Sequence, residues 1–222
     1  MDFRFGGRTD VIENRTKFLE KENIAYQEHI AMRCDHSSII SLVDDKSEEL
    51  GATSQETQIH SEVIVTRKKH IALMLFTADC LPVSFYDPIT QTIALAHVSR
   101  KTFLSGLPQK TVSFLHRELN VVPSNLLIYI GPHIHKESYA FKSPLAETHE
   151  DLQNFIEEKN GFAHINLAGA SIQQLVSSGI KKDHIIVSPE DTGTSADYYS
   201  YFMMKKNNET NEARMATILM MR

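Results

Sequence analysis

Apolar residues recur along this chain in two rhythms, and the changes between them mark out its elements. Over residues 10–23, Val11, Ile12, Phe18 and Leu19 stand among charges at a roughly helical period, with Asp10 placed to cap the N-terminus, so a first helix is predicted. Residues 38–43 alternate and predict a short strand, whereas 48–58 is polar without a period and predicts a surface loop. Four short apolar runs follow, at 63–65, 71–76, 83–86 and 92–96, separated by Arg67-Lys68-Lys69, Asp79-Cys80-Leu81-Pro82 and Asp87-Pro88-Ile89-Thr90. They predict successive strands, three of them in one sheet. Further on, 106–119 is helical in pattern, 126–130 reads as a buried strand ending in Gly131-Pro132, and 152–158 and 171–178 read as helices. Asp197-Tyr198-Tyr199 reads as a packed aromatic strand, and 185–187 and 215–221 as closing strands.

The connection at 87–91 is too short for a parallel crossover, so at least part of the sheet is antiparallel, and the interleaving of helices and strands predicts an α+β or mixed α/β layered domain. No repeat, low-complexity tract or linker interrupts it, so residues 1–222 read as a single domain. A 41% hydrophobic, 23% charged composition is enough for one sizeable core. A net charge of −5, with the basic residues in short groups, argues against a nucleic-acid partner. The N-terminus lacks the apolar stretch of a signal peptide, and no run approaches the roughly 18 apolar residues of a membrane span, so a cytoplasmic protein without a membrane partner is expected. Cys34 and Cys80 are the only cysteines, and each reads as a buried thiol or a ligand rather than half of a disulfide.

Chemistry concentrates where strands end. Thr77-Ala78-Asp79-Cys80 closes a strongly apolar strand, and 17 residues after Cys80 a second strand ends in Ala96-His97. An acid, a thiol and an imidazole thus stand at neighbouring strand ends, where they either face one point or pack as a core cysteine and a satisfied core histidine. His36 stands directly before another predicted strand.

Taken in order, Phe5-Gly6-Gly7, Glu13-Asn14-Arg15, His36-Ser37, Thr77-Ala78-Asp79-Cys80-Leu81-Pro82, Ala96-His97, Ile130-Gly131-Pro132 and Arg214-Met215-Ala216 resemble the YfiH-like laccase-domain family across nearly the full length. Thr-Ala-Asp-Cys-x-Pro followed by Ala-His is the specific part. Gln58-Ile59-His60-Ser61 is a decoy for the first histidine motif: His60 lies only 20 residues before Cys80, while His36 lies 44 before it, as the family spacing requires.

The resemblance implies an α-β-β-α layered domain with mixed sheets, and one zinc ion held by His36, Cys80 and His97. Two imidazoles and a thiolate leave a fourth tetrahedral position open, although Cys34 or Asp79 could fill it. It also implies purine nucleoside and phosphate as substrates: phosphorolysis of adenosine, inosine or methylthioadenosine, and deamination of adenosine by zinc-activated water with Asp79 moving the proton. The cations for phosphate would be Arg4, Lys101 and Arg214, Lys101 standing where the family has the arginine of its Trp-Arg-Gly turn.

The chain also departs from the family. His97-Val98-Ser99-Arg100-Lys101-Thr102 lacks both glycines and the tryptophan of that turn, and lysine cannot make the bidentate fork of arginine. His133 stands where the family has a cysteine, Asp191-Thr192 near its late Cys-Thr, and the paired arginines after Phe-Ser-Tyr are missing. His133 is therefore a further residue for the substrate site, and with His135 could extend the metal site. These losses bear on phosphate binding more than on zinc. They keep open a catalytically degenerate zinc-binding member, and the His-His-Cys set keeps open copper loading with laccase-like polyphenol oxidation.

Overall fold

A computed structural model describes residues 2–24, 29–44, 51, 54–143 and 149–222. The predicted surface loop at 48–58 lies partly outside the described residues. The strands sort into three sheets according to which faces their side chains can bury. β1 (His29–Arg33), β3 (Ile59–His60), β5 (Ala72–Thr77) and β13 (Met215–Leu219) form a four-stranded sheet in the order β13-β5-β1-β3. β2 (Ile40–Leu42), β4 (Val63–Thr66), β6 (Leu81–Asp87), β7 (Thr92–Val98), β8 (Leu127–Ile130) and β12 (Ile185–Val187) form a six-stranded sheet in the order β12-β8-β6-β7-β4-β2. Both are mixed: β1–β5, β2–β4 and β8–β12 are parallel, while β4–β7, β6–β7, β6–β8 and β5–β13 are antiparallel.

Strand periodicity decides the layering, because successive side chains leave opposite faces. On β5, Leu73 and Leu75 meet Ile64 of β4 and Ile93 and Leu95 of β7 between the two sheets. Ala72, Met74 and Phe76 point the other way, onto Leu19 of α1 (Arg8–Lys21). Val63, Val65, Ala94 and Ala96 leave the far face of the six-stranded sheet and pack on α3 (Leu107–Leu119) and α5 (Leu167–Ser177) through Val112, Leu115, Leu167 and Leu175. The result is the expected α-β-β-α stack. β4, β5 and β7 are buried on both faces, which is why they read as continuous apolar runs. No helix among the described residues is long and apolar enough to cross a membrane.

Several local expectations need correction. Asp10 does not cap α1: Gly7 is the N-cap without a side-chain bond, and Asp10 sits in the first turn, where a carboxylate favours the helix dipole. The helix expected at 152–158 is only α4 (Glu150–Gln153). Ile156–Lys159 is instead strand β10, paired with β11 (Phe162–Ile165), which in turn pairs with β9 (Ala140–Lys142). The cause is Asn160-Gly161, both with positive φ (52° and 77°), the turn that matches the twist of a two-residue hairpin. Asp197-Tyr198-Tyr199 is not a strand; it is an irregular approach to α6 (Tyr201–Lys206).

The altered turn after His97 forms α2 (Arg100–Leu104), closed by a capping box. Ser99 Oγ accepts from Thr102 N at 3.1 Å, and Thr102 Oγ1 accepts from Ser99 N at 2.8 Å. Thr102→Val is expected to leave the buried Ser99 N–H unpaired and lower unfolding stability by about 1–2 kcal/mol in a urea titration; an unchanged midpoint would show the box to be dispensable.

Candidate functional site

Two chain segments cross between the sheets at the same end of the molecule. Residues 34–39 carry the chain from β1 in the four-stranded sheet to β2 in the six-stranded one, and residues 78–80 carry it from β5 to β6. Each crossing contains a non-glycine residue in the left-handed region, His36 (φ 64°) and Asp79 (φ 87°), a conformation that structures hold mainly where surrounding contacts enforce it. Sheet register brings the second strand end to the same place, since Pro82 pairs with His97 and Val63 with Ala96. Cys34, His36, Glu62, Cys80 and His97 consequently gather at one point.

Glu62 organises this point, and its side chain is fully buried. Its Oε1 accepts from the backbone N–H groups of Asp35 (2.8 Å) and His36 (2.6 Å), and its Oε2 accepts from His97 Nδ1 (2.7 Å). The His97 ring is thereby fixed with Nδ1 spent and Nε2 available. The buried ring lies within hydrogen-bonding reach of the thiols of Cys34 and Cys80. Its centroid is 5.4 Å from that of His36, whose Nδ1 shares a 3.0 Å hydrogen bond with Ser99 Oγ. Among the described residues, Cys34 Sγ, a Glu62 oxygen and a His97 nitrogen form a group of potential ligand atoms, all within 4.8 Å of one another. Burial opposes charge on His97, but the two neighbouring thiols outweigh it and hold its pKa well above the ordinary value; burial also pushes the Cys34 thiol up.

Beside Cys80 opens a cavity of about 290 Å³. Its wall carries Tyr139, Phe141 and Phe202, whose rings meet edge to face at 4.9–5.3 Å between centroids. Arg100 and Lys205 also line it, with the Arg100 guanidinium 5.2 Å from the centre of the Phe141 ring. Burial pushes the Tyr139 hydroxyl up to about 12, so it stays protonated at neutral pH.

The remaining residues singled out from sequence take varied places. Asp79 lines the cavity, but both of its oxygens are engaged: Oδ1 accepts from Thr192 Oγ1 at 2.7 Å and Oδ2 from Phe202 N at 2.6 Å. Moving a proton would require one of these bonds to open. Lys101 is exposed on α2; burial first, then the neighbouring His97 and Lys101, disfavour a proton on His36. Arg214 lies over Phe5 (4.6 Å) and Tyr201 (5.4 Å), and Tyr201 lines the cavity. Arg4 also lies over Phe5, its charge paired with Asp2.

His133 is elsewhere, with His135 and Lys136 in a separate cleft of about 350 Å³ that shares only Ile134 with the first. The His133 and His135 rings are 4.7 Å apart, and His133 Nδ1 donates to the Gly131 carbonyl at 2.8 Å. Asp191 stands beside them. Burial works against its charge, but His135 N–H, the Ser138 hydroxyl and Gly193 N–H outweigh it and keep its carboxyl below the ordinary range.

Glu62, Arg100, Lys205 and the three aromatic residues did not stand out in the sequence. The one available signal was an acid opening the fully buried strand Val63–Thr66, where an unpaired charge would be costly.

The family described as multi-copper polyphenol oxidoreductase laccase matches residues 6–222. The chain belongs to this family. It is 24% identical over 218 residues to purine nucleoside phosphorylase YlmD of Geobacillus stearothermophilus, covering 95% of this chain and 79% of the relative. It is 22% identical over 185 residues to adenosine deaminase RL5 of an unknown prokaryotic organism, covering 80% and 70%. Among solved structures, the hypothetical protein YfiH of Bacillus licheniformis superposes with a TM-score of 0.86 at 24% identity, covering 97% of this chain and 82% of that one. YlmD of G. stearothermophilus superposes at 0.84 and 22%, with the same coverage. These likenesses establish the YfiH-type fold.

Burial, the dominant influence on the 2%-exposed His133 ring, lowers its pKa to about 4. Between that value and about 6.5 the unfolded chain binds a proton that the folded chain excludes, so stability from this residue is complete above pH 6.5 and is lost as pH falls toward 4. The loss should approach about 3 kcal/mol, and His133→Gln should flatten the pH dependence measured by urea unfolding. An equal slope in the variant would contradict this.

Proposed function

We propose that this protein is a zinc-dependent purine nucleoside phosphorylase, with the metal held by His36, Cys80 and His97 and the nucleoside in the cavity beside Cys80. The observation that carries this reading is the pairing of an aromatic wall with two cations next to the thiol and imidazole cluster. Tyr139, Phe141 and Phe202 suit a flat purine, and Arg100 and Lys205 suit phosphate. Arg100 precedes by one residue the position expected to carry the charge, and it restores the planar fork that Lys101 lacks.

The donor set fits the metal. Both histidines spend Nδ1 on a protein partner, Ser99 or Glu62, and keep Nε2 for a ligand bond. Imidazole and thiolate donors suit zinc and also accept copper, but a multicopper oxidase needs further histidine groups, and among the described residues a single cluster of three ligand-type side chains, Cys34, Glu62 and His97, forms. Bound zinc would hold the thiol and imidazole cluster rigid beside the reacting nucleoside. The rest of the reaction falls to the chain's own residues. Arg100 and Lys205 hold phosphate while one of its oxygens bonds to the ribose C1′. The bond from C1′ to the purine nitrogen breaks with its electrons going to the base, which takes the proton that phosphate gives up. Asp79 acts as a positioning residue, tying Thr192 and the start of α6 to the strand end. Reduced thiols in this role suit the cytoplasm.

Zinc-loaded protein incubated with adenosine, inosine and methylthioadenosine should release free base and ribose 1-phosphate only when phosphate is present. Inosine formed from adenosine without phosphate would favour deamination. Zinc binding without turnover would favour a degenerate metal-binding member. Arg100→Ala is expected to lower kcat/KM for phosphate roughly 10- to 100-fold, the worth of one charged hydrogen-bonding partner. Glu62→Gln sets an amide N–H₂ against N–H donors and should weaken zinc affinity roughly 10- to 100-fold in a chelator competition; unchanged affinity would show that Glu62 does not support the metal.

A further inference from the structure

Cys34 lies outside the three-ligand set that the family resemblance implies, yet it is built into the same point. It follows the last residue of β1, two residues before His36, and its Sγ is within 4.8 Å of a His97 nitrogen. One flank of Cys34 packs on the apolar core between the sheets. Packing alone would not require the thiol to meet an imidazole ring that Cys80 also meets. Glu62, the other nearby group, has both oxygens committed to Asp35, His36 and His97, and ligating a metal would break the bonds that hold the site together.

We propose that Cys34 is a fourth ligand, so that the metal is held by two thiolates and two imidazoles with no open coordination position. The inference rests on the metal centre proposed above. Both thiols bind as thiolates, releasing their protons to solvent. A complete tetrahedral set has no place for the activated water that deamination requires, whereas phosphorolysis brings phosphate as its own nucleophile. Cys34 would thus restrict the chain to the second reaction.

Zinc-edge X-ray absorption on the zinc-loaded wild-type protein tests this without a variant. The expected shell is two sulfurs at about 2.3 Å and two nitrogens at about 2.0–2.1 Å. One sulfur with three lighter atoms would overturn the proposal. In Cys34→Ser the sulfur count should halve with zinc retained, and an unchanged count would also overturn it. Wild-type protein that takes up no zinc would refute the metal centre itself, a failure distinct from a bound zinc with a single sulfur.

Discussion

The site depends on one buried carboxylate. Glu62 sits at the start of β4 with no side-chain exposure, and burial of an uncompensated charge would cost several kcal/mol. Three N–H donors compensate it, and they come from the two components that must meet: the crossing loop through Asp35 and His36, and the end of β7 through His97. Satisfying the charge therefore assembles the site. The same bonds hold His36 in a left-handed backbone conformation and fix the rotation of the His97 ring.

A second buried carboxylate does comparable work on the cavity side. Asp79 joins the 78–80 crossing to Thr192 and to Phe202 at the head of α6. Phe202 then completes the aromatic wall with Tyr139 and Phe141. The turn after His97 lacks the glycines and tryptophan that the resemblance led one to expect there; the capping box of α2 closes it instead, and Ser99 anchors the His36 ring. What sequence comparison shows as loss of motif is, in the fold, a different local solution that leaves Arg100 on the cavity.

The layering was legible because β5 and β7 alternate between two apolar faces and the 87–91 turn is short. The hairpin at 156–165 was missed because residues 152–158 carry acids and apolar residues at a spacing compatible with a helix, while Asn160-Gly161 dictates otherwise. His36, Cys80 and His97 could be named from their motifs, and the fold brings them to one end. Glu62 and Arg100 could not be named, since their roles arise from register: Val63 opposite Ala96 puts Glu62 beside His97, and α2 turns Arg100 toward Phe141. His133 illustrates the converse, as a position matched by motif whose side chain lines a different cleft.

Catalysis as proposed requires that the Glu62-ordered cluster and the aromatic cavity form one centre. Crystals grown with zinc and inosine, with diffraction recorded at the zinc edge, address this directly. A single centre gives an anomalous peak bonded to His97 Nε2, with Nδ1 still on Glu62, and purine density against Tyr139, Phe141 and Phe202. A peak at His133 and His135, or purine bound away from Cys80, would contradict it.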